Sequence, residues 1–213
     1  MKKTNAIAVL AFMGLIGISQ GQSQDSEITG FHQHDGFFLR MQGGAGSGKM
    51  VEVDIEGSDM TLSGAAGSFR LQIGGTVAEN LILFGEMGAF VLSDPNLEWQ
   101  NYSGAMEGVN LSISDFGGGL SYYFMPSNIY LSGSLTISRD KIELEELNRE
   151  ASTQSGIGFY FSAGKEWWIS GDWALGLAGF FYYSKTIDKN ESANVEYTVK
   201  NTVFGLAFSA TYH

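Results

Sequence analysis

Leu81-Ile-Leu-Phe-Gly-Glu-Met-Gly-Ala-Phe-Val91 is the stretch whose reading decides the fold. Leu81, Leu83, Met87, Ala89 and Val91 share one parity; Ile82, Phe84, Glu86, Gly88 and Phe90 share the other. Side chains that alternate with period 2 leave an extended chain on opposite sides, so this is a strand with one wholly apolar face and one mixed face. Near the end of the chain Phe204, Leu206, Phe208, Ala210 and Tyr212 alternate in the same way with Gly205, Ala207, Ser209 and Thr211. A soluble β-sandwich would show the same alternation. The spacing of the breaks separates the two cases.

Working outward, strands are expected near 36–45, 65–77, 81–92, 114–125, 129–138, 156–165, 173–185 and 199–212. The gaps between them alternate. Gly46 to Gly64, Ser93 to Ile113, Arg139 to Ser155 and Thr186 to Thr198 are long, while Ala78 to Asn80, Pro126 to Asn128 and Glu166 to Asp172 are short. Short turns at one end and long loops at the other are the layout of an outer-membrane barrel. The expected fold class is therefore all-β: an eight-stranded, antiparallel, up-and-down transmembrane β-barrel.

Composition agrees. The chain has 213 residues, 29 Gly, 2 Pro and no Cys, with 13% aromatic and 16% charged residues. Lacking Cys, it has no disulfide framework, thiolate metal site or Cys nucleophile. It is too aromatic for disorder and poorer in charge than the roughly 25% of an average soluble domain. A net charge of −11 opposes nucleic acid, which draws basic surfaces.

The first residues set the compartment. Lys2 and Lys3 form a positive n-region, Ala6 to Ile18 is apolar, and Ser19-Gln20-Gly21 places small residues at a cleavage site. The apolar run is shorter than the roughly 20 residues of a spanning helix. The expected organisation is a signal peptide over 1–21, a periplasmic leader over 22–35 and the barrel over 36–213, with both barrel ends on the periplasmic side.

Parity then sorts the side chains. Phe37, Leu39, Met41, Phe69, Leu71, Ile73, Phe116, Leu120, Leu135, Phe159 and Leu175 fall on the outward face, and none is charged. The inward face carries Arg40, Gln42, Arg70, Gln72, Glu86, Asp115 and many glycines. Arg40, Arg70 and Glu86 sit at comparable depths on three consecutive strands, and are expected to form a buried charge network that plugs the lumen, since isolated charges there would be costly. Trp167, Trp168, Trp173, Tyr122 and Tyr212 cluster at the short-turn end as an aromatic girdle. The glycine-rich run after Arg40 is expected to end the first strand. Beyond it Val51, Val53 and Ile55 keep the outward parity, which suggests a hairpin turning at Gly57-Ser58-Asp59 and returning through Met60 and Leu62, with a bulge near Gly64 to Gly67. The segment Asp140 to Glu150 is either a short helix or a hairpin extension.

Here the residues carry a resemblance. The signal peptide, the two-faced strands and the closing Thr202 to Tyr212 segment resemble small outer-membrane barrels of the OmpA/OmpX/OmpW kind. The stretches Leu120 to Ser134 and Gly164 to Gly179 resemble recurring hairpins of an outer-membrane β-barrel family. The resemblance implies a monomer, outer-membrane lipids and lipopolysaccharide as surroundings, and insertion by the barrel assembly machinery through the C-terminal strand. In such proteins the last residue is usually aromatic; here Tyr212 is penultimate and His213 follows.

No motif for chemistry stands up. Gly43-Gly-Ala-Gly-Ser-Gly48-Lys49-Met50 nearly matches a phosphate-binding loop, but Met50 replaces the magnesium-binding hydroxyl and a strand pattern follows it. His32 and His34 are a weak metal pair, with a solvated leader as the preferred reading, so no metal and no cofactor are expected. The chain has three His residues, and this topology puts all of them at the periplasmic end, so an outer-surface hydrolase would lack its general base. The expected function is non-enzymatic: structural or surface-interacting, with a side-chain-filled lumen. The alternative is OmpW-like passage of small hydrophobic molecules, weakly supported by the inward Ile82, Phe84 and Phe90.

Overall fold

The computed structural model describes residue 34 and residues 36–53, 59–144, 149–190 and 195–213. The signal-peptide expectation, His32 and the turn at Gly57-Ser58 lie outside them. Eleven strands follow in chain order: β1 (Phe37–Val53), β2 (Asp59–Ala78), β3 (Leu81–Ser93), β4 (Asn96–Trp99), β5 (Tyr102–Ala105), β6 (Val109–Phe124), β7 (Ile129–Leu144), β8 (Arg149–Ser152), β9 (Gln154–Trp168), β10 (Trp173–Asn190) and β11 (Val195–Tyr212). Eight of them, β1, β2, β3, β6, β7, β9, β10 and β11, form the wall, each antiparallel to its neighbours. β1 closes the cylinder by pairing on both edges: Leu39 lies opposite Ile73 of β2 and opposite Tyr212 of β11. The short β4–β5 hairpin pairs with β2, and β8 pairs with β7.

The wall strands outrun what a membrane requires. At about 3.3 Å per residue, the 17 residues of β1 extend ~56 Å, and a tilt of about 45° still leaves ~40 Å along the axis, against a hydrocarbon core of about 30 Å. The surplus stands at the long-loop end. Much of what reads in sequence as long loop is thus strand, including Ser47 to Val53 and Asp59 to Gly64. The glycine-rich run does not end β1. Gly46 faces Gly205 across the closing seam, and a Cβ on Gly46 would drive into the carbonyl oxygen of Phe204. The glycines are there so that two strongly coiled backbones can close.

Two further expectations are corrected. β1 and β2 pair in unbroken register from Phe37 opposite Gly75 to Val53 opposite Asp59, so there is no bulge near Gly64 to Gly67. Leu62 consequently shares the inward parity of Arg70 and is buried. The helix alternative near Asp140 gives way to a hairpin extension, with Lys141 of β7 opposite Ser152 of β8.

The exterior is apolar around the whole circumference. Phe69, Phe116, Leu135, Ile157, Leu206 and Phe208 are all exposed, the last at 71%. Water would be a poor solvent for such a band, and closure leaves no wall edge unpaired, which together suit a lipid environment. The interior is buried in two tiers. Toward the short turns lie Arg40, Gln42, Arg70, Gln72, Glu86, Asp115 and Glu166 with Tyr123 and Tyr130. Toward the long loops, Met50, Leu62, Phe90, Leu92, Leu111, Ile113, Val199 and Val203 form an apolar cluster, against which Leu97 of β4 and Met106 pack.

Candidate functional site

The lumenal network has two arginine centres. Arg40, fully buried on β1, donates from Nε to Glu166 Oε1 at 3.1 Å, from Nη1 to Gln72 Oε1 at 3.2 Å and from Nη2 to the Tyr123 hydroxyl. Glu166 also accepts from the Tyr123 hydroxyl at 2.9 Å and from Thr211 Oγ1 at 2.7 Å. Arg70 on β2 grips Asp115 with two parallel bonds, Nη1 to Oδ1 at 2.8 Å and Nη2 to Oδ2 at 2.9 Å, and pairs with Glu86 Oε1 at 2.8 Å. The bidentate geometry suits the planar guanidinium, and every charge in this network faces an opposite one.

Gln72 joins the two centres. Its carbonyl accepts from Arg40, and its Nε2 donates to Glu86 Oε2 at 2.8 Å. The second Glu86 oxygen takes a bond from Ser134. Rings stack beneath the charges: Arg40 lies 3.9 Å from the centre of Tyr130, and Arg70 lies 3.8 Å from that of Tyr160. Gln42 bridges these two tyrosines, donating to the Tyr130 hydroxyl at 3.1 Å and accepting from Tyr160 at 3.4 Å. The result is one hydrogen-bonded slab across the barrel.

Of the residues singled out in the sequence, Arg70 and Glu86 meet directly, whereas Arg40 reaches Glu86 only through Gln72. The carboxylate that neutralises Arg40 is Glu166, which the sequence reading assigned to a turn; β9 in fact runs on to Trp168, with Glu166 opposite Gly176. Parity held the signal, since Tyr160, Ser162, Gly164 and Glu166 continue one inward face. A separate buried carboxylate, Asp140, accepts from Thr186 at 2.5 Å and from Asn201 at 2.9 Å at the long-loop end.

Tyr122 and Trp167 are exposed on the outward face, and Trp173 meets Tyr212 edge-on across the β10–β11 pair, with ring centres 5.4 Å apart. Trp168 departs from the girdle. It shares the parity of Glu166, and its ring turns to the barrel mouth, 5.5 Å from His34 and 5.0 Å from His213.

His34 departs from the solvated-leader reading. It is 3% exposed, stacked on Tyr123 with ring centres 3.7 Å apart, and bonded to Asn128 and His213. Burial, then the neighbouring His213, lowers its pKa to about 4, and burial lowers that of His213. Both rings are neutral at pH 7. His34, three residues ahead of β1, therefore caps the short-turn mouth instead of trailing from it.

No family model matches the chain, and no curated protein matches it. Solved structures do. The crystal structure of Neisserial surface protein A superposes with a TM-score of 0.53 at 16% identity, covering 84% of this chain and 97% of that one. The outer membrane protein OprG from Pseudomonas aeruginosa superposes with a TM-score of 0.51 at 15% identity, again covering 84% and 97%. The chain has the fold of these small outer-membrane β-barrels.

Proposed function

We propose that the chain is a non-enzymatic integral protein of the bacterial outer membrane, a monomer whose lumen is filled by side chains and whose role is structural or surface-interacting. The observation that carries this reading is the slab running from Arg40 and Glu166 through Gln72 to Glu86, Arg70 and Asp115, with the apolar cluster above it. A barrel of about eight strands has an interior just wide enough for side chains to fill. In this reading residues 1–21 are a signal peptide. Lipids and lipopolysaccharide surround the apolar wall. The assembly machinery engages β11 through an outward face that ends on Tyr212.

Passage of small hydrophobic molecules would need an apolar chamber open at the long-loop side. Ile82, Phe84 and Phe90 are inward but tightly packed. The apolar groove of about 560 Å³ between Phe161, Gly179, Phe181, Phe204 and Leu206 lies on the outer wall, where acyl chains run. Proteoliposomes carrying the purified protein are expected to take up small sugars no faster than protein-free liposomes. Faster uptake overturns the filled lumen, and recovery of the protein outside the outer-membrane fraction overturns the location.

A further inference from the structure

Three lysines converge on the outer wall toward the long-loop end. Lys185 of β10 lies directly opposite Lys200 of β11, and Lys200 pairs on its other edge with Val51 of β1, whose outward neighbour is Lys49. Directly opposed side chains start about 5 Å apart, and diagonal ones about 7–8 Å. All three are exposed, and among the described residues none of them has an ion-pair partner. The cluster runs against the composition, which sets 23 acidic residues against 12 Lys+Arg. Like charges placed directly opposite destabilise a strand pair, a repulsion that a bound anion relieves. The row lies at the edge of the apolar band, for Lys185 is also opposite Ile157 of β9, which is 73% exposed.

The apolar groove on the outer wall belongs to the same strands. Ala163 of β9 and Gly179 of β10 form its floor, between Phe161, Phe181, Phe204 and Leu206. β10 passes through Gly179 in unbroken register with β11, and a Cβ on Gly179 would meet nothing within 4 Å. Nothing inside the fold therefore requires glycine at this position. A strand glycine without an internal cause marks a place where a ligand comes close. From Gly179 to Lys185 the chain rises ~20 Å at about 3.3 Å per residue, or ~14 Å in depth at a tilt of about 45°. That is close to half of a hydrocarbon core of about 30 Å, the depth of one leaflet.

We infer that groove and lysines form one binding site for a phosphate-bearing lipid of the long-loop-side leaflet. Its phosphate lies among Lys185, Lys200 and Lys49, which donate charge-assisted hydrogen bonds to it, and one of its acyl chains fills the groove over Gly179. The inference rests on the outer-membrane reading, under which the phosphate-bearing lipid on that side is lipopolysaccharide. A zwitterionic headgroup brings its own cation to the lysines and gains less there, and a free phosphate gains nothing from the groove.

The test is native mass spectrometry of the full chain in detergent, titrated with bisphosphorylated lipid A, with folding verified by heat-dependent migration on SDS gels. One saturable lipid per chain is expected, bound ~30-fold more weakly when Lys185→Gln and Lys200→Gln are combined. Gly179→Leu, which fills the groove, is expected to weaken binding several-fold or more. Equal binding of dephosphorylated lipid A, or unchanged binding in the lysine variant, overturns the phosphate site; unchanged binding in Gly179→Leu overturns the groove. Displacement of the lipid by inorganic phosphate alone marks a free-anion site and also overturns the proposal. Without lipid, the lysine variant is expected to unfold at or above the wild-type temperature, because the repulsion is gone. Added lipid A is expected to reverse that order, and an order that lipid A leaves unchanged overturns the site. Each of these failures, seen in a protein that still migrates as a closed barrel, leaves the filled-lumen reading standing.

Discussion

The two halves of the lumen are filled by opposite means. Toward the short turns, two arginines, three carboxylates, two glutamines and three tyrosines lock into one hydrogen-bonded slab; toward the long loops, Met50, Leu62, Leu92, Leu111, Ile113 and Val203 pack as an ordinary hydrophobic core. Burying the apolar half is favourable for any residues of suitable size, and the geometry is forgiving. The polar half gains little net stability, because desolvating each ion costs about what the pairing returns. It nevertheless tolerates only one arrangement. Arg40 meets Glu166 only if β1, β11, β10 and β9 hold their registers together, and Arg70 meets Asp115 only if β2, β3 and β6 do. The difference teaches that one half supplies adhesion and the other fixes the register. A slip of one residue would turn every charge toward lipid.

The largest expected effect comes from unbalancing the polar half. Glu166→Ala leaves Arg40 buried without its carboxylate, which typically costs about 3–5 kcal/mol. The heat-modifiable band on unboiled SDS gels is expected to collapse at a much lower temperature than in wild type. The paired replacement of Arg40 by Met and Glu166 by Leu removes both charges at similar volume. It is expected to recover most of that loss, within about 1 kcal/mol of wild type or above it. Failure to recover would mean that the slab is adhesive after all, and the contrast between the halves would dissolve.

In the apolar half Leu92→Ala is expected to cost about 2–5 kcal/mol, depending on how far Leu62 and Leu111 relax into the space, read as a shifted denaturation midpoint in detergent. No double replacement is expected to rescue it. Glu86→Ala comes next, at about 1–3 kcal/mol, since Arg70 keeps both bonds to Asp115 while Gln72 and Ser134 lose an acceptor. An unchanged denaturation midpoint in this variant would remove Glu86 from the network. The smallest effect is at the long-loop rim. Lys141 pairs with Glu143 at 2.5 Å, but both are more than a third exposed, so Lys141→Ala is expected to change stability by less than about 1 kcal/mol.

Parity explains which parts of this were legible in the sequence. Leu83, Met87 and Val91 against Phe84, Glu86 and Phe90 give the wall, because membrane and lumen impose opposite demands on alternate residues. The same parity carries Arg40, Arg70 and Glu86 inward. Glu166 and Trp168 share the inward parity of Tyr160 and Ser162 and were recoverable by extending that count; the polar stretch after them obscured the end of β9. Gly46 read as a strand end because its reason lies on the other side of the seam, at Gly205. The burial of His34 was not legible. A lone residue before the first strand has no period, and its partners, Asn128 and His213, are 94 and 179 positions away.

The central claim, that both halves together fill a closed lumen, is tested most directly by the conductance of the purified wild-type protein in planar lipid bilayers. The account predicts insertion without stable openings in the nanosiemens range. Stable openings of that size from a single folded species would contradict it.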